Sequence, residues 1–102
     1  WADMLRQSRL IVLSGPLAGT QVGLDTGPCW IGTSHECTLT LPEDGAVQPV
    51  HTVIEKVGFG YEIRAADSRS LTTVNGHRVM GQRLADGDRV LIGETKLAFF
   101  SG

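Results

Sequence analysis

Few side chains in this sequence of 102 residues have chemistry that could build a metal site. The candidate ligands are Cys29, His35, Cys37 and His77. Seven residues separate the two cysteines, a spacing that matches no common structural zinc site. Both cysteines lie in apolar stretches, so the sequence predicts two buried free thiols in a reducing compartment. We therefore predict no metal and no disulfide.

The motifs that would indicate an enzyme are incomplete. His51 could act as a general base, but no serine lies in a Gly-x-Ser-x-Gly elbow. Residues 58–60 lack the third glycine of a dinucleotide-binding loop, and residues 15–19 lack the Lys-Ser/Thr of a phosphate-binding loop. Asp86 and Asp88 flank a glycine, a pattern typical of a turn. We expect neither catalysis nor a cofactor.

Composition and charge are those of an ordinary globular domain. The chain is 41% hydrophobic and 20% charged, with a net charge of −2. This charge gives no general attraction to nucleic acid or to an anionic membrane. No apolar run reaches the ~20 residues needed to cross a bilayer. We predict one domain that is not itself in the membrane and binds no nucleic acid.

The polar residues with binding potential lie in two loops that follow neighbouring predicted strands. An apolar run at 29–31 precedes the polar segment 33–36, and an alternating strand at 37–41 precedes the polar segment 42–49. A β-branched run at 50–54 then opens another strand. We therefore expect both loops at one end of a sheet, where a rigid scaffold holds binding residues together.

The remaining chain consists of short alternating segments separated by Gly, Pro and an Asn-Gly turn. The expected strands are 9–13, 20–25, 29–32, 37–41, 51–56, 61–65, 73–75, 78–80, 89–92 and 95–100. Their apolar residues predict a core between two sheets made of Ile11, Leu13, Ile31, Leu39, Leu41, Ile54, Ile63, Val74, Leu91, Leu97 and Phe99. The fold class is an all-β sandwich.

Seven short motifs, in order along the chain, resemble those of a forkhead-associated (FHA) domain. They are Gly15-Pro-Leu-Ala-Gly19, Ile31-Gly32, Cys37-Thr-Leu-Thr-Leu-Pro42, Val50-His51, Val74-Asn-Gly76, Leu84-Ala-Asp-Gly-Asp88 and Leu91-Ile-Gly93. The resemblance implies an FHA-like β-sandwich of about eleven strands, of the SMAD/FHA type. It divides the chain into an N-terminal extension, 1–8, and the FHA-like domain, 9–102.

FHA domains typically bind phosphothreonine peptides through their loops, and the resemblance locates the corresponding positions here. Thr33 occupies the position of an arginine, Gln48 that of a serine and Ser70 that of an asparagine. Each of the three recognition positions therefore departs from the family pattern. The structural framework residues are retained as Gly32, His51, Asn75 and Gly76, with His51 expected to brace the loops by hydrogen bonds.

These departures remove the groups that recognise phosphate. A phosphothreonine carries a charge of about −1.5 to −2, which arginine meets with a bidentate fork. Three neutral side chains replace that set, and the acidic Glu36, Glu43 and Asp44 lie in the same loops. Arg69 is the only cation predicted nearby, with His35 contributing when protonated. We expect a lost or weakened phosphothreonine site, with a protein partner contacting Thr33, Ser34, His35, Gln48, Arg69 and Ser70.

One group of FHA-like domains resembles this chain further. The cytosolic domain of the inner-membrane-ring protein of bacterial type III secretion systems also has a small hydroxyl residue after Ile-Gly, here Thr33, and a sequence like Pro49-Val50-His51. This resemblance implies docking of a cytosolic protein at the cytoplasmic face of the inner membrane and leaves open a membrane-anchored parent chain. The alternative is a phosphopeptide-binding adaptor that uses Arg69, Ser34, Ser70 and Gln48.

Overall fold

The computed structural model describes residues 7–43 and 45–102, so most of the predicted extension and Asp44 lie outside the described residues. Eleven strands form two sheets. They are β1 (Arg9–Val12), β2 (Gln21–Gly23), β3 (Cys29–Gly32), β4 (Leu39–Thr40), β5 (Thr52–Val57), β6 (Gly60–Ala65), β7 (Thr72–Val74), β8 (His77–Arg78), β9 (Gly81–Arg83), β10 (Arg89–Ile92) and β11 (Thr95–Phe100). In the described part of the chain no helix is long and apolar enough to cross a membrane.

The two sheets face each other as a sandwich. The six-stranded sheet has the order β2-β1-β11-β10-β7-β8, and the five-stranded sheet has the order β4-β3-β5-β6-β9. All strand pairs are antiparallel except β3 and β4, which are parallel. The all-β sandwich and the strand number predicted from the sequence are confirmed.

The core lies between the inner faces of the sheets. Leu10 and Val12 of β1 lie opposite Phe99 and Leu97 of β11, and all four are buried. From the other sheet, Tyr61 packs its ring 5.9 Å from that of Phe99. Alternate residues face inward because successive side chains of a strand point to opposite sides of the sheet.

The prediction of burial in the core is wrong for three residues. Leu13 is 45% exposed and Leu91 is 37% exposed, while Ile11 is only half-buried. Their segments consist of consecutive apolar residues, so the sequence has no polar–apolar alternation to show which residues face inward. The pairing of the strands determines which side chains face inward. Val90 and Ile92 face the core, and Leu91 lies beside Thr73 and Lys96 on the outer face.

Several strand ends differ by one or two residues from the predicted bounds, one strand is much shorter than predicted, and one strand was not predicted. The expected strand 37–41 is reduced to Leu39–Thr40, because the Cys37 amide donates to Ser34 O (3.1 Å) in a turn. β9 (Gly81–Arg83) was not predicted, since it has no apolar residue. It forms because β6 offers it a free edge, with Ile63 opposite Gln82.

The predicted turns are confirmed. Asn75 has φ 52° and Gly76 has φ 85°, the left-handed conformations that an Asn-Gly hairpin turn requires. The Asn75 side chain also donates to Asp88 (3.0 Å) and accepts from the Arg89 amide (3.0 Å). Asp88 in turn accepts from the Ala85 amide (2.8 Å), so the aspartates of this region organise a turn.

Candidate functional site

Three loops meet at one end of the sandwich, which we call the loop end. They are the β3–β4 loop (33–38), the β4–β5 loop (41–51) and the β6–β7 loop (66–71). The first two join through backbone hydrogen bonds from Thr33 N to Gln48 O (3.2 Å) and from Ser34 N to Pro49 O (3.0 Å). Both predicted loops therefore lie together, as expected from the sequence.

Gly32 makes this close approach possible. A Cβ at position 32 would lie 2.1 Å from Pro49 O and 2.7 Å from Pro49 C, far inside van der Waals contact. The obstacle is backbone, which cannot swing aside as a side chain would. Only glycine allows the β4–β5 loop to rest directly on β3.

His51 connects the β4–β5 loop to the β6–β7 loop from inside the protein. Its fully buried ring accepts a hydrogen bond at Nδ1 from the Gln48 amide (3.0 Å) and donates from Nε2 to Leu71 O (2.8 Å). These partners fix the neutral tautomer with the proton on Nε2. The His51 carbonyl also accepts from the Ala66 amide (2.9 Å). With both nitrogens engaged, the ring has no free atom to act as a base.

A pair of buried hydroxyls continues this inner layer. Thr52 Oγ1 and Thr72 Oγ1 lie 2.8 Å apart across the sandwich, and Thr72 Oγ1 also donates to Ser70 O (3.1 Å). The two sheets are thus linked beneath the loops by polar groups that satisfy one another. The loop end therefore has a well-bonded base.

The outer surface of the loop end is different in kind. An open hollow of about 480 Å³ is lined by Thr33, Glu43, Gly45, Val47, Gln48 and Pro49. A second hollow of about 320 Å³ shares Thr33 and Glu43 and extends past His35. Among these described lining residues there is no lysine or arginine. The structure therefore brings together Thr33, Gln48 and the acidic Glu43, and adds His35 alongside.

Ser34 contributes less to the surface than its type suggests. Its hydroxyl accepts a hydrogen bond from the Glu36 amide (3.2 Å), and its carbonyl accepts from Thr40 Oγ1 (3.1 Å). These bonds hold the β3–β4 loop in a tight turn. Ser34 is half-buried, whereas His35 and Glu36 at the tip of the loop are exposed.

The β6–β7 loop is organised around Asp67. This carboxylate accepts from the Arg69 amide (2.8 Å) and the Ser70 hydroxyl (3.3 Å), and it pairs with the Arg69 guanidinium (3.3 Å). The hydrogen bond from the Arg69 amide is the main reason that the pKa of Asp67 is lowered. Arg69 has a side chain 78% exposed, while Ser70 is only 1% exposed and directs its hydroxyl to Asp67.

Sequence reasoning missed three residues of the loop end. Asp67 neutralises Arg69, and Val47 is a buried anchor of the β4–β5 loop. Arg78, on β8, donates to Ser68 O (2.6 Å) and so is a second cation beside the β6–β7 loop. The Asn-Gly hairpin turn could have indicated this contact, because it places Arg78 opposite Thr73.

The cysteines differ in exposure. Cys29 is buried, and burial raises its pKa to about 11. Cys37 is only half-buried, which corrects the prediction that both thiols are buried. It lies in the β3–β4 loop, where its thiol donates to Pro49 O (3.2 Å), and desolvation raises its pKa as well. Both thiols are free. Within residues 7–43 and 45–102 no group of three or more His, Cys, Asp or Glu side chains is arranged to hold a metal ion.

Solved FHA domains have the same fold. One, from a study of phosphothreonine-dependent FHA domain interactions, is 27% identical, with a TM-score of 0.83 over 94% of this chain and 97% of that chain. The FhaA FHA domain, complexed with the intracellular domain of Rv3910, is 28% identical, with a TM-score of 0.79 over 90% of this chain and 98% of that chain. The FHA domain of the CT664 protein from Chlamydia trachomatis, 20% identical, shares the fold with a TM-score of 0.83 over 94% and 98%.

Two packed sheets with three bonded loops at one end define this chain as an FHA-fold domain, a class of protein-interaction module. Residues 11–101 match the family described as "Inner membrane component of T3SS, cytoplasmic domain", and the chain belongs to this family. The resemblance to this group of FHA-like domains, identified from the sequence, is thereby confirmed. No curated protein matches the sequence.

Proposed function

We propose that this chain is a protein-docking domain of a type III secretion inner-membrane component, and that its loop end has lost phosphothreonine recognition. It works without catalysis or a cofactor, on the cytoplasmic side of the membrane, and binds a cytosolic protein. The family match supports the setting. The complex of the FhaA FHA domain with an intracellular domain supports protein binding by this fold.

The observation that carries the lost-site proposal is the chemistry of the hollow around Thr33. A phosphate there would meet the Thr33 hydroxyl, the Gln48 amide and the Glu43 carboxylate. Hydrogen bonds to a charged donor contribute about 1.5–3 kcal/mol, and an arginine would supply two of them in one fork. The neutral pair replaces this attraction with ordinary hydrogen bonds, and Glu43 adds repulsion. The hollow therefore suits a neutral or basic protein surface.

The β6–β7 loop supports the same proposal. Ser70 is buried and its hydroxyl is directed to Asp67, so it cannot reach a bound peptide without leaving that contact. Arg69 is exposed, and its guanidinium pairs with the Asp67 carboxylate (3.3 Å). The alternative, an adaptor that binds phosphopeptides through Arg69, Ser34, Ser70 and Gln48, would have to break both interactions.

Calorimetric titration with a phosphothreonine peptide library and its unphosphorylated counterpart tests the proposal. We expect no difference between the two sets, because the described residues that line the hollow around Thr33 include no cation to select phosphate. Low-micromolar binding that is lost on dephosphorylation and in Arg69→Ala would overturn the proposal and favour the adaptor. Arg83→Ala, on β9 of the other sheet, is the matched control for loss of one exposed arginine.

A further inference from the structure

The outer face of the six-stranded sheet has an unusual charge. Strand register directs Arg9, Arg78, Arg89 and Lys96 to this face, because their neighbours Leu10, Val90 and Leu97 face the core. None of the six strands contains an aspartate or a glutamate. We call this surface the cationic face. It belongs to a chain whose net charge is −2.

The five-stranded sheet provides the comparison. Its outer face contains both signs of charge, and Arg64 pairs there with Glu55 and lies 3.9 Å from Glu62. On the cationic face, Arg9 and Arg89 instead lie 5.3 and 5.9 Å from the centroid of the Phe100 ring and donate to backbone carbonyls. Within residues 7–43 and 45–102, no carboxylate lies within 4.0 Å of the four cations.

An apolar hollow lies among these cations. It has a volume of about 300 Å³ and is lined by Leu13, Thr73, Leu91, Lys96 and their neighbours. A smaller hollow of about 100 Å³ continues from Thr73 and Leu91 to Leu71 and Ala46. Leu13 and Leu91 are two of the three residues that were wrongly predicted to lie in the core. The sheet therefore exposes apolar side chains where its solvent face would ordinarily be polar.

We propose that the cationic face is a second docking surface, and that it binds an acidic segment of a protein partner. An aliphatic side chain of that segment enters the hollow beside Leu91, and its carboxylates pair with Lys96 and Arg89. Charge complementarity identifies the occupant, since these cations pair with no carboxylate in the described chain. The hollow beside Leu91 shares no lining residue with the hollow around Thr33, so this proposal does not depend on the proposed loss of phosphate recognition.

A concave surface favours a protein segment over a membrane. Leu13 and Leu91 line a depression, whereas insertion into a bilayer requires projecting side chains. The fully exposed Phe59 is such a side chain, but it lies on the β5–β6 turn of the other sheet. Phe100, the aromatic residue of the cationic face, is flanked by two arginines and is not free to stack on a nucleic-acid base.

Selection from a displayed library of random 12-residue peptides tests this proposal. We expect the selected peptides to be rich in Asp, Glu and aliphatic residues. Their affinity should fall about tenfold in the double variant Lys96→Glu/Leu91→Ser, which reverses one surface charge and removes one aliphatic contact. The matched control is Lys56→Glu/Val57→Ser, which makes the same exchange on β5 of the other sheet and should leave the affinity unchanged.

Three outcomes would overturn the proposal. They are selection of basic peptides, selection of no peptide, and equal losses in the two double variants. Flotation with phosphatidylglycerol vesicles tests whether the cationic face binds a membrane instead. Vesicle binding that Lys96→Glu abolishes, in the absence of selected peptides, would assign the cationic face to the membrane. Melting curves of both double variants establish that they fold. If the variant with Leu91→Ser does not fold, the affinity is measured with Lys96→Glu alone.

Discussion

The inner layer and the outer surface of the loop end adjoin the same three loops and yet follow different rules. In the inner layer, Gly32, His51 and Thr72 each fit one position and satisfy a neighbour with a specific bond or contact. On the outer surface, Thr33 and Gln48 line an open hollow without a cation. The inner layer determines where the loops lie, and the outer side chains determine what they bind. The proposed loss of phosphate recognition therefore concerns the outer side chains and not the architecture of the loops.

Gly32→Ala should have the largest effect on the inner layer. The new Cβ would lie 2.1 Å from Pro49 O, so the β4–β5 loop must move off β3 and lose its backbone hydrogen bonds. We expect a destabilisation of more than about 3 kcal/mol, which is a fall in Tm of at least about 12 °C. Thermal unfolding followed by circular dichroism measures it.

Gly45→Ala is the control from the outer surface, because a Cβ there meets no atom within 4 Å. Its Tm should change little. Equal Tm values for the two alanine variants would show that the β4–β5 loop does not depend on Gly32, and the distinction between layers would fail.

His51→Leu should cause the next largest loss of stability. Leucine fills most of the buried volume but leaves the Gln48 amide and the Leu71 carbonyl without their ring partners. Two buried groups deprived of hydrogen bonds cost about 2–4 kcal/mol together. Urea unfolding of this variant and of His35→Leu, an exposed loop histidine, gives the comparison. If the His35 variant lost as much stability as the His51 variant, the bracing role of His51 would be wrong.

Asn75 separates backbone conformation from side-chain bonding. Asn75→Ala loses both the ease of φ 52° and the bonds to Asp88 and Arg89, for a cost of about 1–3 kcal/mol. Asn75→Gly retains the conformation and loses only the bonds, so it should cost less. Chemical denaturation of the two variants measures the difference. A glycine variant as unstable as the alanine variant would mean that conformation contributes nothing at this turn.

Asp67 on the outer surface should give the smallest effect, and one that depends on pH. Its folded pKa is lowered, mainly by the Arg69 amide, so its contribution is present above the unfolded pKa of 3.8 and is lost as pH falls through the folded pKa. Asp67→Asn should therefore melt slightly below wild type at neutral pH and converge with it in acid. A Tm difference that widened in acid would reverse the sign of the linkage.

The sequence predicted most of the fold because its turns are chemically explicit. Asn75-Gly76 and the Asp88 turn form as expected, and they set the register of the strands around them. The phase of β1 and β10 was not predictable, since runs of consecutive apolar residues do not distinguish Leu13 and Leu91 from their buried neighbours. β9 was missed because its only reason to be a strand is the free edge of β6.

The candidate site was predictable in composition but not in geometry. Motif spacing located Thr33 and Gln48, and they do share one hollow. The burial of Ser70 and the pairing of Arg69 with Asp67 depend on the path of the β6–β7 loop, which has no periodic pattern. Arg78 reaches that loop because the β7–β8 hairpin places it opposite Thr73. From there it donates to the carbonyl of Ser68, ten positions earlier in the chain.

The most direct test of the central claim restores the lost chemistry on the retained scaffold. Thr33→Arg/Gln48→Ser supplies the cation and hydroxyl of a phosphate-binding loop end, and leaves the buried Ser70 in place. Isothermal titration with one phosphothreonine peptide set should give phosphate-dependent binding to this variant, at least about tenfold tighter than to wild type, because one charge-assisted hydrogen bond contributes about 1.5–3 kcal/mol. Tight, phosphatase-sensitive binding to the wild-type domain, with no gain in the variant, would contradict the account.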